Sequence, residues 1–192
     1  MLKQIETDLV NLLQVKPKRL AHVYGVRNTA ISFGKKYGLD LEKLELAALL
    51  HDMTKYYSYE QNVKIVKENF ENSMEILKGF NKHILHAFTA RVYAQKKYGI
   101  TDLDVLDAIE NHTVGKPAMT MYEKILFLSD YIEPNRTYDS CVKVRELAKE
   151  NLDLAVFTAI NDSIMFYENL NDNIPQIAYQ AREYYKQVLE EQ

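Results

Sequence analysis

The sequence predicts an all-α protein, on three observations. Glycine and proline are scarce, at 6 and 4 residues in a chain of 192. Strict alternation of apolar and polar residues, which marks a half-buried strand, is rare along the chain. Apolar residues instead recur at three- and four-residue intervals, the spacing of one helix face. A chain of this length fits one domain, which we expect to span residues 1–192.

Local signals set the helix boundaries. Pro17 suits the first position of a helix, and Gly38 is expected to end that helix in a left-handed conformation. Asp40 can cap the third helix, which leads to the adjacent pair His51-Asp52. Thr101 is expected to cap the stretch that ends at His112.

Two further starts carry capping boxes, at Ser58 with Gln61 and at Thr120 with Glu123. A short helix and a connector are expected over 71–80. The other predicted helices cover about 2–15, 17–37, 59–70, 82–98, 120–133, 141–150, 152–169 and 177–190. We expect the core of the site within about 17–136, with the C-terminal helices at 141–190 packed on it.

Composition excludes several function classes. The net charge of −3 argues against non-specific binding to nucleic acid. One cysteine, Cys141, excludes an internal disulfide and suits a reducing compartment. No apolar run approaches bilayer length, and the amino terminus has no signal-peptide core. We therefore expect a cytoplasmic protein without membrane partners.

Histidines on apolar helix faces predict a metal site. A single core histidine is more often structural than a ligand. Four on separate helices, with two aspartates, are hard to explain independently, because metal sites in helical proteins are built from facing helices. The six candidates are His22, His51, Asp52, His86, His112 and Asp130, whereas His83 is expected at the surface or outside the ligand set.

The ligand types suit a divalent first-row metal, with iron, manganese, zinc and nickel all permitted.

The order of these residues resembles the signature of the HD-domain metal-dependent phosphohydrolases. Closer still is the YqeK branch, the symmetrical bis(5′-nucleosyl)-tetraphosphatases, and the resemblance runs from about Lys16 to the end. The segment LSDYIEPNR at 128–136 is the most specific to this branch. The similar segments are Arg19–Val26, Ala47–Lys55, Ala108–Thr113 and Leu128–Arg136.

The resemblance implies a single HD-domain helical bundle and an iron-dependent hydrolase. Its substrate would be a dinucleoside polyphosphate, diadenosine tetraphosphate, split symmetrically into two ADP by attack of a metal-bound water; the product class is ADP- or GDP-like. An HD-domain nucleotidase or phosphodiesterase on another nucleotide is the alternative enzyme. A nucleotide- or metal-sensing module without turnover, and a purely structural bundle, are the alternatives outside catalysis. A homodimer stays open.

The resemblance also implies the roles of the six candidates. His22, His51, Asp52 and Asp130 would hold the metal, and Asp52 could also orient, or take a proton from, the attacking water. His86 and His112 could complete a second metal site or bind phosphate as protonated imidazoles. We favour one metal per chain over two, because the four-ligand set is complete.

Several residues are expected to meet substrate. Asp52, His51 and Lys55 form the catalytic set, with Lys55 as a point charge one turn after His51. Arg136 could clamp phosphate through two hydrogen bonds. The expected nucleotide- and phosphate-binding residues are His22, His86, His112, Thr113, Asp130, Arg136, and Asn171, Asn173, Ile174 and Gln176 of a polar loop that is otherwise a plain connector.

Three positions depart from pattern. Thr54 stands where the family more often has alanine, and Phe88-Thr89 replaces a more usual Val-Gly. None is expected to touch a proposed ligand.

Gly25 lies within a helix, where glycine costs about 1 kcal/mol relative to alanine. It is either a tolerated helix glycine or a place where a helix or ligand approaches closely.

Overall fold

The structure is a computed structural model that describes residues 1–191. Across that range it is all-α, as predicted: eleven helices and no strand. They are α1 (Leu2–Leu13), α2 (Pro17–Tyr37), α3 (Leu41–Leu50), α4 (Tyr59–Asn69), α5 (Ser73–Gly79), α6 (Leu85–Tyr98), α7 (Leu103–Asn111), α8 (Met121–Ile132), α9 (Asp139–Glu150), α10 (Leu152–Asn169) and α11 (Gln176–Glu190).

Most predicted boundary signals are confirmed. Pro17 opens α2, and Gly38 ends it with φ +66°. The Asp40 carboxylate accepts from two amides at the start of α3. Ser58 with Gln61 and Thr120 with Glu123 both form capping boxes. Hydrogen bonds between residues close in the chain fix these helix ends, and the local sequence therefore predicts them.

Two boundary predictions are wrong. Asp102, and not Thr101, caps α7, because its carboxylate accepts from the amide of Asp104. The helix predicted from Lys82 begins only at Leu85, after a turn over 81–84. No side chain caps α6, and so the sequence carried no signal for its true start.

The helices enclose a main core and a smaller one. In the main core α2 packs against α3 and α8, while α7 contacts α3, α6 and α8. A smaller cluster joins α4, α5 and the start of α6 through Val66, Ile76 and Phe88. The C-terminal helices α9, α10 and α11 pack in series, and both α9 and α10 contact α8. This packing brings the ends of α3, α7 and α8 against the middle of α2 and the start of α6.

Within residues 1–191, no helix is both long and apolar enough to cross a membrane.

Candidate metal centre

All six predicted ligand candidates converge where these helix ends meet. His51 and His112 are the C-terminal caps of α3 and α7, and Asp52 follows in the next turn. The remaining three lie on α2, α6 and α8: His22, His86 and Asp130. All are buried except Asp130, whose side chain is 19% exposed. The helix-face argument from the sequence is therefore correct in placing them together.

Three of the imidazoles are oriented by the same device. In each, Nδ1 donates to the backbone carbonyl three residues earlier in the chain, which leaves the Nε2 lone pair facing the centre. The donor–acceptor distances are 2.6 Å from His51 to Ala48, 2.8 Å from His86 to His83 and 2.6 Å from His112 to Ile109. The side chain of His83 is exposed, as expected, and only its backbone carbonyl takes part, as the acceptor for His86 Nδ1.

His22 is oriented by a carboxylate. Its Nδ1 donates to Glu133 Oε1 over 3.2 Å, and Glu133 is 1% exposed. The second Glu133 oxygen accepts from the backbone and side-chain amides of Asn135, both at 2.8 Å. Gly25 makes this approach possible, since a Cβ there would collide with Glu133 Oε2. Of the two interpretations of Gly25, the close approach is confirmed.

Asp52 is the most connected group of the centre. Its Oδ2 accepts from Arg19 Nη1 over 2.7 Å and lies 3.5 Å from His51 Nε2. Its Oδ1 lies 3.1 Å from His86 Nε2 and 4.0 Å from His112 Nε2. The carboxylate therefore bridges two halves of the site, one containing His51 and the other containing the two outer histidines.

The residues fit a metal ion. Among the described residues, the buried Nε2 atoms of His22 and His51 have no hydrogen-bond partner. Asp130 Oδ1 lies 3.0 Å from His22 Nε2 without a hydrogen bond between them. Acceptors that face one another in a buried space require a cation between them. In two groups of three residues the ligand atoms all lie within 4.8 Å of one another. The first group is His22, His51 and Asp130, and the second is His51, Asp52 and His112.

Electrostatics in the centre favours ionised carboxylates. Burial would raise the pKa of Asp52, but the neighbouring His51, His86 and Lys55 side chains hold that pKa well below its ordinary value. Burial likewise opposes ionisation of Asp130, yet Arg136 and His22 keep its pKa well below the usual range. Arg136 Nη2 lies 2.9 Å from Asp130 Oδ1.

The outer histidines favour the neutral form. Burial lowers the pKa of His86, although Asp52 opposes the shift. Burial also lowers the pKa of His112 well below its ordinary value, and the neighbouring His51 and His86 lower it further. A neutral ring whose Nδ1 donates to a carbonyl presents a lone pair at Nε2, which suits a metal or a water proton.

Residues 19–135 match the HD domain. The chain belongs to the HD-domain family. The resemblance predicted from the motifs is thereby confirmed, and the all-α fold agrees with it. In this HD domain the matched region contains every residue of the centre except Arg136.

Three curated relatives share the name bis(5′-nucleosyl)-tetraphosphatase, symmetrical. The one from Halalkalibacterium halodurans is 39% identical over 81% of this chain and 82% of its own. Those from Bacillus subtilis and Staphylococcus aureus are each 35% identical, over 84% and 78% of this chain and 86% and 77% of their own. A crystal structure from Clostridium acetobutylicum, of a protein described as a predicted HD superfamily hydrolase involved in NAD metabolism, has TM-score 0.90 and 34% identity and covers 98% of both chains.

A cleft of about 930 Å³ opens from the centre of the HD domain. Lys55, Thr113 and Arg136 line it together with His86, His112 and Asp130. It extends along α10 past exposed apolar side chains that include Phe166 at 59% exposure. Its volume lies in the range of sites for nucleotide-sized ligands, roughly 300–1,000 Å³.

The polar loop is only partly at the site. Asn173 and Ile174 line a narrow pocket that shares Thr113 with the cleft. Asn171 and Gln176, although both are described, line neither space. Thr113 Oγ1 is buried and has no hydrogen-bond partner among the described residues, which suits a ligand oxygen.

Sequence reasoning missed four contributors. Arg19 precedes His22 by one helical turn, and that spacing could have pointed to it. Glu133 carried no such local signal, because its partner is on another helix. The expectation that Thr54 and Thr89 stay clear of a ligand residue is wrong: the Thr54 hydroxyl lies 2.9 Å from the His86 carbonyl and 2.8 Å from the Thr89 hydroxyl.

Proposed function

We propose that this chain is a metal-dependent hydrolase that cleaves diadenosine tetraphosphate symmetrically into two ADP. The observation that carries the proposal is the convergence of four oriented imidazoles and two ionised carboxylates at the head of a nucleotide-sized cleft. The names of the three relatives, each covered over more than three quarters of its length, support the same activity.

In this proposal His22, His51, Asp52 and Asp130 hold one metal ion per chain. A bound divalent ion supplies Lewis acidity for the phosphoryl oxygens and lowers the pKa of a water at the site. Imidazole and carboxylate ligands are compatible with iron, which the resemblance favours, and with manganese, zinc or nickel. In the two-metal alternative His86 and His112 hold a second ion and Asp52 bridges the two, on the support of Asp52 Oδ1 at 3.1 Å from His86 Nε2 and 4.0 Å from His112 Nε2.

The chain's own groups prepare the reaction. Backbone carbonyls and Glu133 hold the imidazole rings so that Nε2 points inward. Arg19 holds one Asp52 oxygen in place. The other oxygen faces the cleft side of the centre, where it can orient a water by accepting a hydrogen bond from it. Because the pKa of Asp52 is low, its carboxylate is better suited to orient a water than to take a proton from it as a general base.

Cations at the mouth of the centre offset phosphate charge. Lys55 Nζ lies 3.2 Å from His86 Nε2 and 4.0 Å from Asp52 Oδ1, within reach of a phosphate placed at the centre. Arg136, in the loop after α8, presents its guanidinium beside Asp130. Phosphoryl transfer depends mainly on such positioning and charge stabilisation. The uncharged state of His86 and His112 supports a water-orienting role for them over phosphate binding as imidazolium.

The nucleoside end is proposed to lie toward Thr113, Asn173 and Ile174, where the narrow pocket adjoins the cleft. The product is then an ADP-like nucleotide, with GDP as the guanine counterpart. We further propose a cytoplasmic location, on the support of the buried, unpaired Cys141, and leave a homodimer as an alternative to a monomer.

A panel of nucleotides tests the proposal. Purified protein reconstituted with iron, and separately with manganese, zinc and nickel, is given diadenosine tetraphosphate, the triphosphate and pentaphosphate analogues, and mononucleotides. We expect the highest kcat/KM with the tetraphosphate. A higher value with a mononucleotide or a cyclic dinucleotide would favour the alternative enzyme, and metal binding without any turnover would favour a sensing module.

A further inference from the structure

A second pocket adjoins the centre on the side away from α10. It encloses about 180 Å³ between the 55–59 segment, α4 and the turn before α6. It shares Lys55, His83 and His86 with the main cleft, so the two spaces meet at the phosphate-facing edge of the centre. From that edge the cleft runs toward α8, α9 and α10, while the second pocket runs toward α4.

The lining of this pocket is basic and aromatic. Lys82 and His83 are exposed beside Lys55, and among the described residues that line the pocket none is acidic. Tyr57 and Tyr59 complete the wall, and Tyr59 is 51% exposed. Positive side chains next to an exposed aromatic ring suit a phosphate joined to a nucleoside.

Buried hydrogen bonds hold the pocket wall in place. Asn62 donates to the carbonyls of Tyr57 and Ser58, at 3.3 and 3.1 Å, and accepts from Thr89 over 2.7 Å. Thr89 in turn meets the Thr54 hydroxyl, which also contacts the His86 carbonyl. The segment 54–58 is thus tied to α4 and α6 before any ligand arrives, which reduces the entropic cost of binding.

We propose that this pocket receives the second nucleotide half of a two-nucleoside substrate, with Lys82 facing its phosphate and Tyr59 stacking on its base. The proposal rests on the proposed function. A substrate with a nucleoside at each end of a phosphate chain must extend in two directions from the phosphate that reacts. At about 180 Å³ the pocket encloses only part of that half, and the base lies against Tyr59 at the rim.

The test compares two substrates with the same number of phosphates. Diadenosine tetraphosphate has a second adenine that can stack on Tyr59, whereas adenosine 5′-tetraphosphate has only the adenine bound at the other end of the cleft. We expect Tyr59→Leu to raise KM for the dinucleotide about 5- to 10-fold, the lower part of the range for one base–aromatic stack, and to leave KM for the mononucleotide unchanged. Lys82→Gln is expected to raise KM for both, with kcat and metal content as in the wild type.

Lys64→Gln is the matched control, because its side chain is 75% exposed on the same helix as Tyr59 and does not line the pocket. An equal response of both substrates to Tyr59→Leu, or no response of either, would overturn the assignment while wild-type turnover left the proposed function intact. Absence of wild-type turnover on diadenosine tetraphosphate would instead contradict the proposed function, and with it the role proposed for this pocket.

Discussion

Glu133 Oε1 accepts a hydrogen bond from His22 Nδ1 over 3.2 Å, although 111 residues separate the two in the chain. The carboxylate fixes which ring nitrogen of His22 faces the centre and increases its basicity as a ligand. We therefore regard Glu133 as a residue that positions His22.

The first prediction concerns this contact. Glu133→Gln should weaken metal binding about 10- to 100-fold, the usual effect of removing a carboxylate behind a ligating histidine. Metal titration by calorimetry measures the change, and Glu146→Gln, at an exposed surface carboxylate, serves as control. Unaltered affinity in Glu133→Gln would show that the carboxylate does not act through His22.

Gly25 gives the second prediction. Gly25→Ala places a methyl group against the Glu133 carboxylate, so that Glu133 must move away from His22. We expect a loss of metal affinity and a lower melting temperature. Gly79→Ala is the matched control, because nothing lies within 4 Å of the added Cβ there. If both alanine variants behave alike, the close approach at Gly25 has no functional consequence.

Arg136 gives the third. Charge-assisted hydrogen bonds contribute roughly 1.5–3 kcal/mol, so Arg136→Ala should lower kcat/KM for diadenosine tetraphosphate by about 10- to 150-fold with metal content intact. Arg136→Lys should recover only part, since an ammonium lacks the planar fork. Steady-state kinetics with metal analysis checks both variants. A variant that loses its metal would instead assign Arg136 to holding Asp130, which it contacts at 2.9 Å.

The number of metal ions provides the fourth. We expect one ion per chain in the wild type and in His112→Ala, with a slower reaction in the variant because a group beside Asp52 is lost. Elemental analysis of anaerobically purified protein gives the ratio. Two ions in the wild type and one in His112→Ala would instead establish a second metal site at His86 and His112, with Asp52 bridging the two ions.

The sequence predicted the parts of this molecule that depend on neighbours in the chain. The capping boxes at Ser58 and Thr120 were legible because both partners lie within one turn. Thr101 and Asp102 are adjacent residues that can both cap a helix, and Asp102, the stronger capping type, is the one that does so. The inward faces of four histidines were predictable from helical spacing alone.

Contacts between distant segments were not predictable in this way. The hydrogen bonds from Arg19 to Asp52 and from His22 to Glu133 join different elements, and the reason for Gly25 appears only once α8 is packed on α2. Thr54 and Thr89 are departures from the family pattern at positions 35 residues apart in the chain. They meet in the fold, at 2.8 Å, and this contact explains why both positions carry hydroxyls.

The products formed from diadenosine tetraphosphate test the central claim most directly. Metal-loaded protein is incubated with the dinucleotide, the nucleotides are separated by chromatography, and Asp52→Asn serves as the blank because it removes a ligand carboxylate with little change of shape. The account predicts ADP as the sole nucleotide product, two per substrate consumed, and none with the variant. ATP and AMP in equal amounts, or undiminished turnover by Asp52→Asn, would contradict it.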